Sequence, residues 1–262
     1  MKEQTQTNKK TGFFMQLSVE QKKVKYRKIW MIAVGVVFLQ FIWSAWTFGK
    51  ADERLLSQGY RYLLYEMPVL NAVFMPVLMA VIASRLCDAE VKGDTFKLLF
   101  TMQKSGTLFD CKLVFGIRYV LLVVLLQAVM IIADGIVFDF TETMDFKLLL
   151  IYCAATFIVN VVVLVVQQFL SLTAQNQILP LCVGLAGSFL GLFSLFFPRA
   201  IQMFVLWGYY AMFMPLEMNY DKAARVMSFS DTPLNLGLML AFAAAGVILY
   251  AGMKYLFVRR EV

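Results

Sequence analysis

Asp134 is the first residue of this sequence to suggest chemistry. It is the one acid set clearly inside a long apolar run, and Gln40, Asn71, Gln127 and Asn160 are the uncharged polar residues in comparable runs. A carboxyl in hydrocarbon is costly, so such a group suggests a polar path or a proton relay. Asp134 lies about one turn from the end of its run, where hydration relieves most of that cost, and the favoured reading is a carboxyl that reaches water. A proton-driven pump would want more buried acids or a histidine, and the sequence has no histidine. That absence also removes H-E-x-x-H metal chemistry and any serine or cysteine nucleophile served by a histidine base. No G-x-x-x-x-G-K-[ST] loop occurs, so the chain holds no nucleotide through a P-loop. Cys87, Cys111, Cys153 and Cys182 form no C-x-x-C pair and read as packing residues. The expectation is a non-catalytic chain with no metal site and no cofactor of its own.

The elements that position these residues follow from composition. Of the 262 residues, 61% are hydrophobic and 16% charged, against roughly 45–50% and about 25% in soluble domains. A soluble chain of this size could not bury so much apolar surface, so the bilayer is its solvent. Residues 1–28 form a basic leader in which Phe13, Leu17 and Val24 share a helical face, which predicts an interfacial helix suited to anionic lipid headgroups. Six spanning helices are expected at about 29–48, 67–87, 113–138, 148–171, 178–197 and 235–257, within a transmembrane domain of 29–257, followed by a tail at 258–262. Net charge is +7, but the cations sit beside apolar runs, which points to topology control and not to nucleic acid. With the N-terminus inside, 17 of the 24 Lys and Arg fall on the inner side. Both termini and the first inner loop are therefore expected in the cytoplasm of a multi-pass cell-membrane protein.

That inner loop, Asp88 to Lys112, is a charged island between apolar runs. Phe96, Leu99 and Phe100 fall at i, i+3 and i+4, one stripe of a short amphipathic helix that Asp94 would cap. Ser105-Gly106 is expected to stop it, and Thr107-x-x-Asp110 to form a capping box that opens the next helix. On the outer side, residues 200–215 are apolar and aromatic but short for a span, and read as a re-entrant or interfacial segment with Trp207, Tyr209 and Tyr210 at headgroup level. Glu217 to Asp231 reads as a polar outer segment. Gly184, Gly187, Ser188 and Gly191 line one side of the fifth span, either for packing within one bundle or for an interface between protomers.

In sum the expected fold is all-α: six transmembrane helices, an N-terminal interfacial helix, a cytoplasmic helix between spans two and three, and an outer segment before the last span. This arrangement resembles permease subunits of ABC-2 type transporters, and most closely the lantibiotic-immunity and peptide-antibiotic export permeases of Gram-positive bacteria. Glu90-x-x-Gly93, Thr95-Phe96-Lys97-Leu98-Leu99, Ser105 and Lys112 carry the resemblance, and Gln103 stands near the place where many relatives have a proline. The resemblance implies a coupling helix seated in a groove of an ATPase subunit, with Glu90, Gly93, Thr95, Phe96, Lys97, Leu99 and Phe100 in contact. It also implies two copies of that ATPase, which would carry ATP and Mg, a second permease that is homologous or identical, and surrounding membrane lipids. The substrate would be a peptide or other amphipathic molecule, with the aromatic segment around Trp207, Tyr209 and Tyr210 as a possible outer ligand region. The alternatives are a homodimeric drug or lipid exporter and, in another class, a membrane scaffold or sensor that transports nothing.

Overall fold

With lipid as solvent, backbone N–H and C=O groups must be satisfied within the chain, and long helices do this without help. The computed structural model describes residues 13–93, 104–221 and 226–259. Its helices are α1 (Phe13–Lys25), α2 (Ile29–Phe48), α3 (Glu53–Leu56), α4 (Gly59–Lys92), α5 (Ser105–Val137), α6 (Phe146–Thr173), α7 (Ile178–Ser194), α8 (Arg199–Gln202), α9 (Tyr209–Met212) and α10 (Leu236–Arg259). Strands β1 (Leu216–Asp221) and β2 (Val226–Asp231) pair antiparallel, Leu216 opposite Asp231. The protein is thus an all-α membrane protein with one small hairpin, which stands where the sequence predicts only a polar outer segment.

Among the described residues, five helices, α2, α4, α5, α6 and α10, are long and apolar enough to cross a membrane. The fifth expected span is shorter than predicted. Helix α7 has 17 residues, about 26 Å at the usual helical rise, and ends four residues before Pro198, which disfavours helix in the residue preceding it. Helices α4 and α5 err the other way, with 34 and 33 residues. Each extends beyond its apolar run through polar residues, and those residues are held by ion pairs described below.

Helix α4 lies at the centre: 67% of its apolar window is buried, against 11% for α10 at the periphery. Pro68 and Pro76 both lie inside it, and each removes one backbone donor from the helical ladder. Opposite Pro76, the glycine face of α7 comes close. A Cβ on Gly184 would stand 2.6 Å from Ala80 Cβ and 2.9 Å from the Pro76 carbonyl oxygen, and one on Gly191 would stand 3.1 Å from the Ala72 oxygen. Ser188 Oγ donates to the Val73 oxygen at 2.5 Å. The glycine stripe therefore packs within the bundle and is not a surface for a second protomer.

At the end of the bundle farther from α1, which we term the hairpin end, Arg61 at the start of α4 pairs with Glu142 and with Asp231, both at 2.9 Å. Phe229 of β2 packs edge-on against Tyr62. The hairpin is thus fastened to the first turn of α4.

The close approach of α4 and α7 yields a two-sided prediction. Gly184→Ala forces a methyl against rigid partners and is expected to cost about 1–3 kcal/mol. Gly252→Ala, which meets nothing within 4 Å, is expected to be neutral or to gain up to about 1 kcal/mol in its helix. Thermal unfolding of both variants in detergent checks this, and an unchanged melting temperature for Gly184→Ala would contradict the close packing.

Candidate functional site

Lys112 lies on the second turn of α5 and is fully buried. A buried ammonium is tolerated only if its charge and its three donors are met. All are. Lys112 Nζ donates to Glu90 Oε2 at 2.8 Å, to Glu20 Oε2 at 3.3 Å and to the Leu86 oxygen at 2.7 Å. The other oxygens of the two acids, Glu90 Oε1 and Glu20 Oε1, accept from Lys23 Nζ at 2.9 and 2.8 Å. Two acids and two lysines therefore alternate around a closed, neutral ring that joins α1, α4 and α5. Arg27 reinforces it by donating through Nη1 to the Arg85 oxygen. The ring links the helices on either side of residues 94–103, through Glu90 of α4 and Lys112 of α5.

Burial pushes the Glu90 carboxyl up, but the Lys112 and Lys23 ammonium groups outweigh it and hold it below its ordinary value of 4.5. Burial likewise pulls Lys23 down, and hydrogen bonds and charge from Glu20 and Glu90 reverse this and hold it above 10.5. A depressed acid contributes stability above its unfolded value that is lost as pH falls through the folded one. A raised base contributes stability below its unfolded value that is lost as pH rises through the folded one. The contributions of Glu90 and Lys23 are therefore both fully present between about pH 4.5 and 10.5.

The helix that carries half of this ring differs from its sequence reading. The inward face of α1 is Gln16, Glu20 and Val24, whereas Phe13, Phe14, Met15 and Val19 face outward. Partners for Glu20 and Lys23 on α4 and α5 outweigh the burial of one more phenylalanine. Glu90, expected to meet a partner subunit, is 1% exposed and committed to the ring. Gly93 is exposed, just beyond the end of α4, and Thr95, Phe96, Lys97, Leu99 and Phe100 lie outside the described residues. Helix α5 already begins at Ser105, so Ser105-Gly106 is its first turn and not a stop. The Thr107/Asp110 capping box does not form, because Asp110 accepts from Lys254 Nζ and Tyr250 Oη of α10, both at 2.6 Å.

The other residues singled out by sequence are drawn inward. Gln40 of α2, Asn71 of α4, Gln127 of α5 and Tyr152 of α6 form a buried network: Gln127 Nε2 donates to Asn71 Oδ1 at 2.7 Å and to Gln40 Oε1 at 2.9 Å, and Asn71 Nδ2 donates to Tyr152 Oη at 3.0 Å. Asn160 accepts from Tyr210 Oη at 2.5 Å. Asp134 does not reach water: it is fully buried, and its two oxygens make no hydrogen bond among the described residues. Tyr210 is buried, the Trp207 ring lies over Gly187, and Tyr209 stacks on Phe242 at 4.0 Å. The cavity that Tyr209 and Tyr210 border measures about 10 Å³, room for one water at most. Tyr210 is thus taken up by packing, while Trp207 and Tyr209 stay partly exposed at the hairpin end.

A family model described as ABC-2 family transporter protein matches residues 16–191. The chain belongs to that family. No curated protein and no solved structure matches the chain. The matched region opens within α1 and ends within α7, so it contains the whole ionic ring and the central polar network. As the membrane component of an ABC transporter, an ABC-2 permease works with an ATPase held in another subunit, and the ring joins α4 and α5, the two helices that flank residues 94–103. Sequence reasoning missed the ring, although one signal was present: Glu20 is the sole acid between Gly12 and Lys28.

Lys112→Met leaves Glu20 and Glu90 to share Lys23, and is expected to destabilise the permease by about 3–5 kcal/mol. Adding Glu90→Gln to that variant removes one uncompensated charge and should recover part of the loss. Melting temperatures of the single and double variants in detergent provide the check, and equal values would break the proposed coupling between these residues.

Proposed function

We propose that this chain is the membrane-spanning subunit of an ATP-driven exporter that expels an amphipathic, lantibiotic-like peptide from the bilayer. The α1 end faces the cytoplasm in this reading, in keeping with the 17 of 24 cations on that side. Two ATPase subunits dock there, one on the segment between α4 and α5 of this chain and one on a second permease, homologous or identical. The observation that carries the reading is the ring itself. It ties both flanks of that segment to α1, so a push on the segment moves three helices together and is not dissipated in a loop. Phe96, Leu99 and Phe100 supply the apolar contacts to the ATPase, and Lys97 takes over the charged contact that Glu90 cannot make.

One observation favours a second reading, a pair of identical chains exporting a drug or lipid. A groove of about 360 Å³ between α2, α4 and α7 is lined almost wholly by hydrocarbon, with Ile32, Val36, Phe74 and Phe189 among its walls. Its size suits an acyl chain or the apolar face of a short helix.

Affinity purification from the native membrane in mild detergent tests the assignment. A P-loop ATPase is expected to come with the permease, together with a second permease if the pair is mixed. Phe96→Ala and Phe100→Ala should each lower the recovered ATPase several-fold while permease yield holds. Wild-type stoichiometry in both variants would remove the docking assignment, and absence of any ATPase would favour a scaffold. In proteoliposomes, ATP turnover stimulated by a cationic amphipathic peptide but not by added lipid supports the peptide reading, and the reverse supports the second.

A further inference from the structure

Beside the ring, α1 and α2 are joined through Lys28, which adopts a left-handed backbone (φ 49°, ψ 33°) unusual for a residue with a side chain. A recess of about 220 Å³ lies between α1, the first turn of α2 and the third and fourth turns of α5. Two cations line it, Lys25 of α1 and Arg118 of α5, together with Gln21. Both cations are exposed, and among the described residues neither is ion-paired. The nearby acids Glu20 and Glu90 are saturated by Lys23 and Lys112, so they leave this charge uncancelled. The floor is aromatic: Phe115 and Tyr119 are buried, and Trp30 is half-exposed.

Arg118 lies six residues beyond Lys112, about 9 Å further along the spanning helix. A guanidinium at that depth is favoured where an anion meets it. The outward face of α1 carries Phe14 and Met15, 83% and 62% exposed, which seats this helix in the bilayer interface. An anion delivered at that level, continuous with hydrocarbon, is a lipid headgroup. We propose that the recess binds an anionic phospholipid of the leaflet at the α1 end. Its phosphate sits between Lys25 and Arg118, Gln21 offers an amide hydrogen bond, and the glycerol and upper acyl carbons rest on Trp30, Phe115 and Tyr119. This assignment is independent of the transported substrate and of ATPase docking.

The test uses the full chain in nanodiscs of mixed phosphatidylglycerol and phosphatidylcholine, released into the gas phase for native mass spectrometry. The wild type is expected to retain phosphatidylglycerol in preference to phosphatidylcholine. Arg118→Gln and Lys25→Gln should each reduce that preference about fivefold, the value of one interfacial cation. Lys22→Gln, exposed on α1 but outside the recess, controls for general surface charge and should leave it unchanged. Lys25→Gln sits on an outer helix face and keeps the test decisive if Arg118→Gln does not fold. Three outcomes would overturn the proposal: unchanged preference in Lys25→Gln, an equal loss in Lys22→Gln, or displacement of the lipid by glycerol phosphate at equal concentration. The last would mean that the aromatic floor contributes nothing and that the site takes a soluble phosphate.

Discussion

The structure depends on one electrostatic constraint: Lys112 has no access to water and must find its counter-charges within the chain. It takes them from α1 and α4, and doing so determines where α1 lies, how far α4 and α5 extend past the apolar layer, and how closely the flanks of residues 94–103 approach. A salt bridge on a wet surface would hold almost nothing here. The ring is different because its acids are 1% and 4% exposed and every carboxylate oxygen is used. Such an arrangement is weak evidence for extra stability, since apolar residues of equal volume would do as well. What it supplies is a single permitted register for three helices.

A second device acts deeper in the membrane. Between helices in lipid there is little hydrophobic drive, so small residues and shared hydrogen bonds set the contacts. The amides of Gln40, Asn71 and Gln127 converge from three helices, and Tyr152 joins them from a fourth. The glycine face of α7 does the complementary work by bringing backbone to within contact of α4. Helix α4 is therefore held by polar cross-links at Asn71 and by close packing at the neighbouring Ala72, Pro76 and Ala80.

The apolar runs and the membrane class were legible in the sequence because hydrocarbon burial is written residue by residue. The ends of α4 and α5 were not, because Glu90, Lys112 and Arg61 extend helices by pairing with partners 22 to 170 positions away, beyond the reach of any local window. The same reason hid the inward face of α1: periodicity ranks Phe13 above Glu20, and only knowledge of Lys112 reverses the order. The hairpin escaped because its anchor is tertiary, with Phe229 set against Tyr62 and Tyr65. For Gly184, Gly187 and Gly191 the spacing was plain, but its use within one bundle could be decided only by Ala80, Pro76 and Trp207 lying opposite.

Helix α4 carries the ring at one end and the hairpin at the other, and α7 grips it at Ala72, Pro76 and Ala80, almost midway between Gly59 and Lys92. A rod gripped at its middle is a lever with a fulcrum and two nearly equal arms. Close contact with the α7 glycines leaves α4 little clearance to slide at that level. The fulcrum is also where Pro76 breaks the hydrogen-bond ladder, which places the softest point of the rod at its pivot. The ring-bearing and hairpin-bearing halves of α4 therefore meet at a bendable point that α7 holds in place.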